Sequence, residues 1–182
     1  NFEQAHPSPT WRSFLHNHLT DIAAIDMFVV ATATFRLLYA LIVLSLDRRR
    51  VIHFGVTENP TQVWLSRQMT EAFSWDTAPR YLLRDRDISY GPAFRDRVQV
   101  LGIEEVVTAP RSPWQNPYVE RLIGSIRREC LDHIIIFNER HLHHVLSRYF
   151  QYHHGARTHL SLNKDCPQPR RIRARQHAGI GK

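Results

Sequence analysis

The chain has 182 residues, 43% of them hydrophobic, and carries 24 Lys and Arg against 17 Asp and Glu. That length and apolar content suffice for one domain with a real core and exclude a globally disordered chain. Two cysteines, Cys130 and Cys166, exclude a disulfide scaffold, and without a CxxC spacing they fit a reducing compartment rather than a thiolate metal site.

The first residues open at Asn1 without a methionine, as a fragment of a longer protein does. Ser8 or Thr10 can cap a short helix with Trp11, Phe14, Leu15 and His18 on one face. Residues 27–46 are apolar enough and long enough to suggest a membrane span. Arg36 near the middle argues against it, because an arginine at the bilayer centre costs at least about 2.5 kcal/mol. Two buried strands, 22–30 and 37–46, with a turn near Thr34 to Arg36 account for the same residues. A polar turn at Asp47 leads to a third strand, 51–56, and the tight links predict an antiparallel meander.

Asn59 and Pro60 read as the cap and first turn of a helix whose Leu65, Met69, Ala72 and Phe73 share an apolar face. A fourth strand covers 78–83. Pro92 starts a short helix with Phe94, Val98 and Leu101 inward, Gly102 ends it, and a fifth strand covers 103–109. Strand, helix, strand with short links implies a parallel pair, so the fold is α/β with a five-stranded mixed sheet. After Asn116, with Pro117 at the first helical position, Val119, Leu122, Ile123, Ile126 and Cys130 form a core-facing stripe. Glu120 lies at the border of that stripe, and Arg127, seven residues on, points within about 20° of it. A last helix spans 139–154. Its histidines 141, 143, 144, 153 and 154 lack the ligand spacing of a zinc site and are expected at the surface or facing DNA.

Charge is unevenly placed. Residues 140–182 hold nine Lys and Arg and one acid, Asp165, on a near-neutral remainder, the electrostatic footprint of a polyanion binder. From Gly155 onward periodicity is lost and proline and arginine accumulate, which reads as an extended basic arm. Three acids have unusual settings. Asp26 sits inside the apolar run AAIDMFVVA, where an unpaired ionised carboxylate is costly. Asp85 stands where the fourth strand runs out, flanked by Arg84 and Arg86, and ligands gather at strand carboxyl ends in α/β sheets. Glu120 is in the first turn of the helix. Carboxylates entering one site from two strands and a helix suit hard divalent cations.

The runs AAIDMFVV, LLRDRDISYGPAF and APRSPWQNPYVERLIGSIRRECLDH together resemble the catalytic core of the DDE integrase/transposase superfamily, in particular the retroviral-integrase-like transposases of bacterial insertion sequences. The resemblance covers about residues 22–162 and is most specific over 110–133. It implies an RNase H-like core at 21–162, preceded by an N-terminal extension with a short helix (1–20) and followed by a basic arm (163–182). It also implies that Asp26, Asp85 and Glu120 are catalytic and hold two Mg²⁺ or Mn²⁺ ions, Asp26 bridging them. Arg121, Arg127 and Arg128, on the helix that carries Glu120, are the candidates for DNA phosphate contacts beside the site. Asp85 and Glu120 are separated by 34 residues, one fewer than the family's usual spacing, so Asp87 competes with Asp85 as the second acid.

The activity implied is metal-dependent cleavage of DNA ends and strand transfer during DNA integration. The partners implied are element ends and target DNA, a homo-oligomer assembled on them, and no membrane. The setting implied is a bacterial cytoplasm, at the nucleoid, with end recognition left to a helix-turn-helix region outside these residues. The competing readings are an idle DNA-binding or assembly module from a truncated element, and an RNase H-like nuclease that hydrolyses without joining.

Overall fold

A computed structural model describes residues 9–74, 76–110, 112, 115–157 and 166–168. Residues 27–46 form the β1–β2 hairpin. β1 (Ile22–Ala31) and β2 (Leu37–Ser45) pair antiparallel from Ala23↔Ser45 to Ala31↔Leu37. The Thr32 hydroxyl accepts the Arg36 N–H across the turn, Phe35 takes the left-handed conformation at φ 61°, and Arg36 pairs with Glu58. Among the described residues no helix is long and apolar enough to cross a membrane.

β3 (Arg50–Thr57) continues the meander, and β4 (Tyr81–Arg84) and β5 (Glu104–Val107) add parallel strands on the other side of β1. The sheet order is β3-β2-β1-β4-β5. It has the mixed five-stranded topology expected from the sequence, but β4 and β5 are shorter than the apolar runs that suggested them. Their ladder holds only from Tyr81↔Glu104 to Arg84↔Val107, so residues 78–80 precede the pairing.

Both faces of the sheet are covered, which is why the inner strands β1, β2 and β4 are mostly apolar. Ile22, Ala24 and Phe28 of β1 and Leu83 of β4 share a core with α1 (Pro9–Asn17), α4 (Pro117–Glu129) and α5 (Glu139–Gly155). Ala23, Ile25 and Leu82 point the other way, against α2 (Gln62–Ala72) and α3 (Pro92–Val100). α1 joins the first core directly: Leu15 is buried in it, and Phe14 meets Tyr81 edge-on with ring centroids 5.3 Å apart.

The helix ends show where local chemistry decides. α2 is capped by Thr61, whose hydroxyl accepts the Trp64 N–H, and not by Asn59, whose own N–H is held by the Thr57 hydroxyl. α3 stops as expected at Gly102, φ 73°, with the Gly102 and Ile103 N–H groups bonded back to Gln99 and Val98. The histidine expectation needs correcting at the end of α5. His153 continues the buried stripe of Leu146, Tyr149 and Phe150 at 2% exposure, and the His154 imidazole accepts the Val51 N–H. Helical spacing carries both into the seam between α5 and β3 rather than to the surface.

α4 depends on its stripe, in which Val119 and Ile126 are fully buried. Ile126→Ala is expected to lower unfolding free energy by about 2–5 kcal/mol. Urea denaturation checks this as a lower midpoint at unchanged slope.

Candidate active site

The β1–β4 ladder runs through Ile22↔Tyr81, Ala23↔Leu82 and Ala24↔Leu83 and then stops. Two residues further along each strand stand Asp26 and Asp85, on the same face as Ala24 and Leu83 because side chains alternate with period two. That face is the one α4 covers, and Glu120 lies in the first turn of α4. The three acids line one open cleft of about 410 Å³, together with Arg86, Asp87, Thr108 and Asn116.

Burial sets the electrostatics. Asp26 accepts the Met27 N–H at 2.8 Å, yet its carboxyl is pushed up from 3.8 to about 7. Desolvation is the main cause, followed by the charge of Asp85, then Glu120 and last Asp87. Burial also raises the Glu120 carboxyl. The neighbouring arginines do not offset this. Arg84 spans to Glu105 at 2.5 Å and stacks over Tyr90, while Arg86 donates to the Thr108 carbonyl.

Asp85 and Asp87 differ in their bonding. Asp85 accepts the Asp87 N–H at 3.2 Å, and Asp87 accepts the Ser89 N–H at 2.8 Å, so two successive Asx-type bonds build the turn that leaves β4. Both acids line the cleft, but Asp85 weighs more heavily on Asp26 than Asp87 does.

Asn116 occupies the cap position of α4 without making the cap bond. Its Nδ2 donates instead to the Ile25 carbonyl at 3.2 Å, tying the start of α4 to β1. Its Oδ1 is buried without a hydrogen-bond partner in the cleft wall. Tyr90 is similar: the phenol is buried, its hydroxyl has no partner, and burial plus the charges of Asp26, Asp85 and Asp87 raise its pKa. Sequence reasoning missed Tyr90 and Arg86. An aromatic in a turn and an arginine beside an aspartate carry no spacing signal of their own.

The three arginines proposed for phosphate contacts are dispersed, and none lines the cleft. Arg127 donates to the Val29 carbonyl and lies over the Phe28 ring. Arg121 faces a separate pocket, and exposed Arg128 accepts a bond from His133 at its carbonyl oxygen.

Among the described residues no three His, Cys, Asp or Glu side chains stand together as a ready-made metal site. The donor chemistry nonetheless fits a hard divalent cation: carboxylates whose mutual repulsion raises Asp26, beside an amide oxygen with no partner. The linkage gives a test. Asp26 titrates near 7 folded against 3.8 in its ordinary state, so its contribution to stability is full below about pH 4 and is lost as pH rises through about 7. In metal-free buffer at pH 8, Asp26→Asn is expected to raise Tm by on the order of 5 °C. At pH 4 most of the gain should be gone, and thermal unfolding at the two pH values checks both.

Residues 101–167 match the integrase core domain family, a span that includes Glu120 but neither Asp26 nor Asp85. The Insertion element IS476 uncharacterized 39.2 kDa protein of Xanthomonas euvesicatoria is 25% identical over 152 residues, 81% of this chain and 43% of that protein. The chain thus spans less than half the length of that curated relative. In fold it is similar to the catalytic domain of Mos1 mariner transposase, with TM-score 0.63 and 18% identity over 78% of each chain. It is also similar to the HTLV-2 integrase catalytic core domain in complex with magnesium, with TM-score 0.62 and 12% identity over 81% of this chain and 93% of that one. Residues 101–167 are thus similar to the integrase core domain family, and the five-stranded mixed sheet with its helices is similar in fold to the RNase H-like retroviral integrase and mariner transposase catalytic cores.

Proposed function

We propose that this chain is the catalytic core of a DNA transposase or integrase, which cuts element ends and transfers the freed 3′-hydroxyl to target DNA. The observation that carries the reading is the meeting of Asp26, Asp85 and Glu120 in one cleft, from β1, the end of β4 and the first turn of α4. The integrase core match over α4 and α5 and the insertion-element relative support it.

Asp26, Asp85 and Glu120 would hold two Mg²⁺ or Mn²⁺ ions, which when bound activate the attacking oxygen and stabilise the leaving one. The magnesium in the HTLV-2 integrase core complex supports this choice of ion. Asp26 reaches the doubly ionised cleft only by losing a proton held near pH 7, so ion uptake releases that proton. Asn116 and Arg84 position the acids, one through the Ile25 carbonyl and the other through the Asp85 carbonyl at 2.8 Å. Asp85 rather than Asp87 is the second acid on this reading, because it directly follows the strand that pairs with β1 and its charge weighs more heavily on Asp26. Joining two ends to one target calls for a homo-oligomer assembled on DNA.

Strand-transfer assays with labelled element ends and Mg²⁺ or Mn²⁺ test the reading. Glu120→Gln and Asp85→Asn are expected to lower the rate by about 10³-fold or more, with DNA binding retained. Asp87→Asn should stay within about tenfold of wild type. Metal-dependent activity surviving Glu120→Gln would overturn the assignment. DNA binding without activity in the wild type would favour an idle assembly module, and hydrolysis without joining would favour a nuclease.

A further inference from the structure

A second concentration of charge lies away from the acidic cleft and shares no lining residue with it. A small pocket of about 40 Å³ opens where the β2–β3 turn, α4 and the end of α5 meet. Arg49 comes from the turn, Arg121 from α4 and Arg157 from just beyond α5, with Ser125 and Tyr118 between them. Arg49 adopts φ 55° and its guanidinium lies 4.8 Å over the Tyr118 ring. Arg157 is braced by Glu129 at 2.7 Å and donates to the Ser125 hydroxyl at 3.2 Å.

Arg49 and Arg157 are held in place by these contacts, which lowers the entropy lost when they grip an anion, while Arg121 is exposed on α4. Glu129 is the acid nearest to them in the bonding network, and its carboxylate is held below the usual range by the Arg157 hydrogen bond. Three guanidinium groups meet at the pocket, and among the described residues that line it none is acidic.

What continues outward from the pocket favours a polymer. Arg48 and Arg50 flank Arg49 on the same turn. Arg48 donates to the carbonyls of Cys166 and Pro167, at 3.1 and 2.9 Å, and the Gln168 N–H bonds to His154. The segment that leads in sequence to Arg170, Arg171, Arg173 and Arg175 is thus tied to the turn that carries Arg49. Cations in succession along the sequence match the repeating charge of a nucleic-acid backbone.

We propose that Arg49, Arg121 and Arg157 form a phosphate site that grips one backbone phosphate of DNA remote from the catalytic cleft. The inference rests on DNA being the partner, as proposed above, and adds where a stretch of it is held.

Fluorescence anisotropy of a labelled DNA duplex, titrated with KCl, tests it. The double variant Arg49→Gln/Arg121→Gln is expected to weaken binding several-fold and to lower the slope of log K against log salt by about 0.9, the share of one phosphate. Arg67→Gln, on α2 across the sheet, should leave the slope unchanged. Arg121→Gln alone, exposed on α4, gives a smaller loss in the same direction and guards against misfolding of the double variant. An unchanged slope in both variants, with wild-type binding intact, overturns the site and leaves the catalytic reading standing. No DNA binding by the wild type overturns both. Thermal stabilisation by inorganic phosphate that disappears in the double variant, without any change in DNA slope, assigns the pocket to free phosphate and overturns the DNA role.

Discussion

The parallel ladder between β1 and β4 holds for three residue pairs and breaks after Ala24 and Leu83, and the cleft opens at that break. Beyond it β1 stays bonded to β2 as far as Ala31, whereas β4 gives way one residue before Asp85 to a turn closed by the Asp85 and Asp87 carboxylates. The strands part, water enters, and the next inward-facing position on each chain is an acid. Had the ladder run two pairs further, Asp26 and Asp85 would face each other inside a sheet with no solvent to relieve them. The raised Asp26 carboxyl is what remains of that conflict, because it keeps one wall of low dielectric and gains three acidic neighbours. Unpartnered polar atoms of Asn116 and Tyr90 collect around the same break, as expected where local stability is traded for a site.

α4 brings the third acid, and its seat is fixed at both ends. Asn116 ties the first turn to the Ile25 carbonyl. Glu129 at the other end binds Arg157 and the Tyr149 hydroxyl, which lock α4 to α5, while Arg127 reaches the Val29 carbonyl. The buried stripe between these anchors sets the rotation of the helix, so Glu120 has little freedom except in its own side-chain torsions. A rigid backbone with movable carboxylates suits a cleft in which the acids share space without forming a preassembled ligand set.

Charge is segregated along the sheet. The acids gather past the break in the β1–β4 ladder, and the arginines of the β2–β3 turn, α4 and the end of α5 gather beside the first residues of β1, since Ser45 pairs with Ala23. These arginines line a pocket separate from the cleft and do not neutralise its acids, which leaves the cleft suited to hard cations.

Much of the architecture was legible in the chain itself. Strand alternation, the Gly102 stop and the α4 stripe are local patterns, and local patterns report which residues face inward. Asp26 stood out because an acid in an apolar strand violates burial rules whatever surrounds it. Other features depended on tertiary placement. Thr61 displaced Asn59 as a cap through one hydroxyl geometry, and His153 became core because β3 lies under the end of α5. Tyr90 came within reach of the charges of Asp26, Asp85 and Asp87 from a turn, and Arg121 turned to a different pocket from that of its neighbour Glu120. The sequence by itself determined the elements, their inward faces and the three exceptional acids, because periodicity and the cost of burying charge are properties of neighbouring residues. Only the tertiary structure decided that those acids share one cleft and that the arginines do not, because that depends on where a three-pair ladder ends and how one helix is rotated above it.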